Sequence, residues 1–106
     1  MLEEIEVEQM HILAELIGSL DSVEEEEGTL LDNTMTLYGS NLSDANIHDT
    51  RNLPIILTGG GFRHGRHVAY DQQNNTPLCN LYVSMLQRLG VEADRFGSST
   101  GTLVEL

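Results

Sequence analysis

The sequence predicts an α/β chain in the order helix, strand, strand, helix. Three observations carry that reading. Apolar residues recur at helical spacing over residues 2–20. Two short apolar runs, TMTLY at 34–38 and LPIILT at 53–58, have strand composition. A second helical repeat begins at Thr76-Pro77 and stops at Gly90.

Each element has a local cause. Leu2, Ile5, Ile12, Leu13, Leu16, Ile17 and Leu20 follow a helical period, with Met10, Leu13, Ile17 and Leu20 on one stripe. Glu3 and Glu4 suit a helix start, where the aligned peptide dipoles favour negative charge. The segment DSVEEEEG, 21–28, reads as the end of that helix and an acidic linker. TMTLY is β-branched and apolar. LPIILT is a continuous apolar run with Pro54 near its start, where a missing N–H is tolerated, and this is the pattern of a buried strand in a mostly parallel or mixed sheet. Gly59-Gly60-Gly61 ends it. His67–Tyr70 reads as a further short strand, followed by a turn at DQQNN. Thr76 is placed as the N-cap and Pro77 as the first helical residue. Leu78, Leu81, Tyr82, Met85, Leu86 and Leu89 then form one apolar face, closed by Gly90. Residues 91–106 read as an irregular tail. The organisation is therefore an acidic amphipathic helix (1–20), an acidic linker (21–28) and an α/β segment (29–106), together forming one small domain or a portion of a larger one.

Charge narrows the function classes. The chain has 17 acidic and five basic residues, a net charge of −12, with no lysine. Residues 1–32 carry acids and no Lys or Arg, which reads as a solvated helix face with an acidic linker, or as a cation-binding or partner-docking face. This balance argues against nucleic acid, because the phosphate backbone would be repelled. No apolar run approaches the roughly 18 residues of a membrane span. The acidic start, MLEEIEVEQM, is neither a secretory signal nor a transit peptide. Cys79 is the single cysteine and sits within an apolar helix, where it reads as a small hydrophobe.

Several catalytic patterns are missing. The triple glycine is followed by no Gly-Lys-Ser/Thr, and His64 occupies the third position of a dinucleotide fingerprint. No G-x-S-x-G nucleophile elbow occurs. Two polar groupings remain. In GSNLSDANIHD, 39–49, Asp44, His48 and Asp49 follow the first strand; His64 and His67 follow the second. Carboxylate oxygen and imidazole nitrogen suit divalent zinc, manganese or iron, and α/β sheets gather ligands beyond their strand ends. Asp44, His48 and His67 are the candidate metal ligands. The structural alternative is a turn capped by Asp44 with His48 hydrogen-bonded in the loop. Gly60, Gly61, Arg63 and Arg66 are the candidate anion or substrate site, with a tight glycine turn as the alternative.

The run GTLLDNTMTLYGSNLSDANIHDTRNLPIILTGGG, then GRH, NTPLCNLYVSMLQRLGV and DRFGSSTG, resembles the C-terminal part of the HXXSHH-motif family. These are secreted bacterial proteins common in planctomycetes, forming a domain of unknown function. The resemblance covers nearly the whole chain, including the first helix, with its segments in family order. The family's naming motif lies upstream of that helix and is absent here. The resemblance therefore implies a C-terminal piece of a longer secreted or periplasmic protein, with the upstream part as its partner.

A second resemblance is to the last third of alkaline phosphatases and sulfatases, which implies a partial alkaline-phosphatase-like sheet. There, the loop after the strand gives an Asp-His pair to a divalent metal ion and a later His gives another ligand. Carried over, these positions are Asp44, His48 and His67. The chain departs from that pattern at Gly39-Ser40-Asn41-Leu42, where those enzymes have Ser-Asp-His-Gly. The nucleophile of that superfamily would lie upstream. Two functions follow as expectations: the C-terminal half of a metal-dependent phosphatase- or sulfatase-like hydrolase, or a noncatalytic ligand- or partner-binding protein of the same fold. Strand edges left without the missing half predict poor autonomous stability.

Overall fold

A computed structural model describes residues 1–103, 105 and 106. It is a small mixed α/β chain: α1 (Leu2–Asp21), β1 (Met35–Gly39), β2 (Ile55–Gly59) and α2 (Leu78–Arg88). The helix-strand-strand-helix order is the one the sequence predicts. β1 and β2 form a two-stranded sheet. Their register is antiparallel. Gly39 lies against Ile55, and the Ser40 N–H donates to the Pro54 carbonyl over 3.4 Å. At the other end, Gly59 lies against the Thr34 carbonyl. The expected parallel or mixed sheet is corrected. A parallel pair needs a crossover, usually helical, and no helix lies between β1 and β2. The expected strand at His67–Tyr70 is also corrected, since these residues join no ladder of the two-stranded sheet.

The chain divides into two compact units, each described by itself. The first is Met1–Thr36 with Thr58–Gly61. Glu3 and Glu4 occupy the first turn of α1. Leu13, Ile17 and Leu20 are half-buried, on the stripe the periodicity predicts, and no residue of α1 is fully buried. The Leu31 N–H donates to the Leu20 carbonyl over 3.1 Å, and the Leu31 carbonyl accepts from both Thr34 and Gly60, each at 3.1 Å. Residues 21–28 form a closed turn. Val23 accepts from the Leu30 N–H (2.8 Å), and Gly28, at φ +77°, accepts from the Glu25 N–H (2.9 Å). The turn holds the backbone while Glu24–Glu27 face solvent.

The second unit is Leu37–Leu57 with Phe62–Leu106. Pro77 is itself the N-cap of α2, at φ −60° and ψ 138°, one residue later than the predicted Thr76. Its carbonyl accepts from the Asn80 N–H over 3.0 Å, so the helix starts without a side-chain cap. At the other end, Gly90 takes φ +84°, and its N–H bonds Gln87 while the Val91 N–H bonds Leu86, both at 3.0 Å. This pair of bonds closes the last turn as a left-handed glycine terminator does.

The core of this unit is small. Among the described residues, Phe62, Leu81 and Val83 are its buried hydrophobic residues, with Val83 fully enclosed. Asn80 and Ser84 are buried beside them, so the buried face of α2 is rotated from the predicted one and Leu89 is exposed. A clamp on the following tail explains the rotation. The Thr100 N–H donates to Asn80 Oδ1 over 2.8 Å, and the Leu103 N–H to Ser84 Oγ over 2.8 Å. Asn80 Nδ2 returns a bond to Thr100 Oγ1 at 3.2 Å. Buried polar groups must be paired to be tolerated, and here helix and tail satisfy each other. The Tyr82 and Phe96 rings meet edge-on at 6.1 Å, and the Arg88 guanidinium sits 4.6 Å over the Phe62 ring.

Candidate functional site

The loop GSNLSDANIHD is a self-bonded turn within the second unit. Ser40 Oγ donates to the Leu42 carbonyl (2.7 Å) and accepts from the Leu42 N–H (3.1 Å). Ser43 N–H bonds the Asp49 carbonyl at 2.8 Å, and Asp49 N–H bonds the Asp44 carbonyl at 2.9 Å. These two bonds pinch residues 43–49 into a closed loop. Asp44 Oδ1 accepts from the Asn46 N–H at 2.9 Å, the bond by which aspartate mimics a backbone turn. His48 sits at φ +53°, in the left-handed region, where it completes the turn.

Asp49 is committed to Arg51. Oδ1 accepts from Arg51 Nε at 2.9 Å and from the Arg51 N–H at 2.9 Å, while Oδ2 accepts from Nη2 at 3.0 Å. This two-pronged geometry holds the Asp49 carboxyl below its ordinary value of 3.8, through the guanidinium hydrogen bonds first and the backbone bond second. It raises the Arg51 guanidinium for the same reason. Asn52, also at positive φ (+54°), accepts from Asn75 Nδ2 at 2.7 Å and so ties the loop exit to the segment before α2.

The remaining candidates fall in different places. Gly60 and Gly61, at φ +65° and +74°, belong to the first unit. The Gly60 N–H is already donated to Leu31, so it is a turn amide rather than an open anion donor. Arg63, Arg66, His64 and His67 belong to the second unit. Arg63 Nη2 donates to the Glu105 carbonyl at 3.2 Å. Arg66 is exposed, and its charge acts on Tyr70, opposing the upward shift of that hydroxyl. Tyr70 donates to Glu105 Oε2 at 3.4 Å; burial and the Glu105 carboxylate push it above its ordinary value of 10.0. Cys79 is a free thiol that accepts from Ser98 Oγ at 3.7 Å.

Sequence reasoning passed over one concave feature. An open cleft of about 490 Å³ lies in the second unit, lined by Tyr70, Asn75, Thr76, Asn80, Thr100 and Glu105 among others. Its lining is mostly neutral amides and hydroxyls with one carboxylate. The available signal was the density of Asn and Thr on both sides of α2, separated by the helix in sequence.

A divalent metal would need three converging ligands. Among the described residues, no group of three or more His, Cys, Asp or Glu is arranged to hold one. The Asp44 carboxylate caps its own turn and both Asp49 oxygens face a guanidinium. As placed, Asp44 Oδ1 and both Asp49 oxygens are thus committed to bonds within the loop. No helix among the described residues is long and apolar enough to cross a membrane. No protein-family model, characterised protein or solved structure matches the chain. What fold and loop define is a small mixed α/β chain whose polar loop is closed upon itself.

Proposed function

We propose that the chain is a noncatalytic partner-binding protein of the HXXSHH-like type that its sequence resembles. One observation carries this reading. The carboxylates of the loop where related hydrolases keep metal ligands are engaged in turn bonds and a two-pronged Arg51 pair. A metal ion would have to share Asp44 Oδ1 with the Asn46 N–H and compete with Arg51 for both Asp49 oxygens. The Gly39-Ser40-Asn41-Leu42 stretch, in place of Ser-Asp-His-Gly, supports the same reading.

In this proposal the element order derives from an alkaline-phosphatase-like sheet, and a secreted bacterial setting follows from the same resemblance. The small buried core and the exposed apolar side chains of α1 support a chain completed by a partner, whether an upstream part of a longer protein or another polypeptide. The test is hydrolysis of generic phosphate and sulfate esters by the protein, with and without a chelator. The proposal expects no chelator-sensitive turnover above that of an Asp44→Ala variant. Chelator-sensitive hydrolysis abolished by Asp44→Ala or His48→Ala would overturn it in favour of the metal-dependent hydrolase.

A further inference from the structure

Helix α1 carries a second apolar stripe. Leu2, Ile5, Gln9, Ile12 and Leu16 follow alternating spacings of three and four residues, which is the seam of a coiled coil. At 3.6 residues per turn they fall within an arc of roughly 80°, over about 21 Å of helix. Leu2, Ile5, Ile12 and Leu16 are 66, 50, 58 and 48% exposed. The neighbouring stripe, Leu13, Ile17 and Leu20, is the half-buried one.

Three of the four positions flanking the exposed seam between Leu2 and Leu16 are acidic, and the fourth is the half-buried Leu13. Glu8 and Glu15 line one side and Glu6 the other, all solvent-exposed. In a coiled coil these are the positions whose charges choose the partner. His11 Nδ1 lies 3.6 Å from the Glu8 carboxylate, and no Lys or Arg occurs in residues 1–32. A parallel second copy would set Glu8 and Glu15 against Leu13 and Leu20, and an antiparallel one would set these glutamates against each other, so neither offers them a cation. A helix with Lys or Arg at its flanking positions meets the seam with opposite charge.

We infer that the Leu2–Leu16 seam of α1 docks a basic amphipathic helix of another polypeptide, with apolar side chains at its core positions and Lys or Arg flanking them. This deepens the partner-binding proposal and rests on it. Docking covers the exposed apolar side chains, while Gln9, polar in the middle of the seam, fixes the register, as a lone polar core residue does.

The test uses the full 106-residue chain and two labelled synthetic peptides of about three heptads each, with Leu at the core positions. One carries Lys at every flanking position, the other Glu. Fluorescence anisotropy should show the basic peptide binding at least about tenfold tighter, with an advantage that shrinks as salt rises. The triple exposed variant Glu6→Lys, Glu8→Lys, Glu15→Lys should invert the preference without loss of helix by circular dichroism. Ile5→Ser with Ile12→Ser should weaken basic-peptide binding about tenfold or more. Equal affinity for both peptides, no binding of the basic one, or self-association of the chain through this seam would each overturn the inference. Ester hydrolysis reports separately on the parent proposal, so failure of one is distinguishable from failure of the other.

Discussion

Replacing Gly59 by alanine should unfold the hairpin end of the first unit far more effectively than the same change at Gly65. Both glycines have φ +75°, so both pay the same penalty for a left-handed alanine, about 1–2 kcal/mol. Their surroundings differ. A Cβ at Gly59 would overlap the Thr34 carbonyl oxygen and stand 2.5 Å from the Leu31 carbonyl oxygen. Both are backbone atoms, and the Leu31 carbonyl is held in place by the bonds it accepts from Thr34 and Gly60. Relieving such overlap by backbone movement costs about 1–3 kcal/mol more. A Cβ at Gly65 meets nothing within 4 Å. Gly59→Ala should therefore cost about 2–5 kcal/mol and Gly65→Ala about 1–2 kcal/mol. Urea unfolding followed by circular dichroism, with amide exchange at Gly60 as a local probe, measures both. Equal effects of the two substitutions would refute the argument that carbonyl crowding, rather than φ alone, demands glycine at 59.

Other expectations follow from the same geometry. Asn80→Ala leaves the Thr100 N–H without its side-chain acceptor and should cost about 0.5–1.5 kcal/mol, read as faster amide exchange at Thr100 and Leu103. Asp49 and Asp71 are held below 3.8, Asp49 by Arg51 and Asp71 by the N–H groups of Asn74 and Gln73. Their contribution is complete above 3.8 and is lost as pH falls through their lower folded values. Carboxyl-carbon NMR titration should show Asp49 moving up toward 3.8 in Arg51→Ala, and an unmoved Asp49 would contradict the pairing. Tyr70 is raised above 10.0, so the stability it lends is present below 10.0 and lost as pH rises through its folded value. Ultraviolet titration of Glu105→Gln should bring its ionisation back toward 10.0 while leaving part of the shift, because burial is the larger cause.

Much of the framework was legible because its signals are local. Pro77 and Gly90 bracket α2 through their own backbone preferences, and the apolar period places α1 to within a residue. Strand direction was not legible. LPIILT is apolar on both faces, and such a run carries no information on whether its neighbour runs with it or against it. The hidden polar face of α2 was equally out of reach, because Asn80 and Ser84 find their partners in Thr100 and Leu103, far along the chain. The loop gave mixed signals. Asp and His residues there suit a metal in composition, yet Asp44 two residues before Asn46 and Asp49 two before Arg51 are also the spacings of side chains that bond their own backbone. The structure follows the second pattern. His67, far from that loop in sequence, had only fold analogy to bring it near, and the antiparallel hairpin removes the shared strand-end rim on which the analogy relied.

The central claim, that the 43–49 loop is a closed turn rather than a metal centre, is tested most directly by calorimetric titration of the protein with zinc and with manganese. The closed turn predicts no stoichiometric binding, and the same weak heats from Asp44→Ala and His48→Ala as from the unaltered chain. One-to-one binding abolished by either substitution would contradict the account and return the loop to the hydrolase reading.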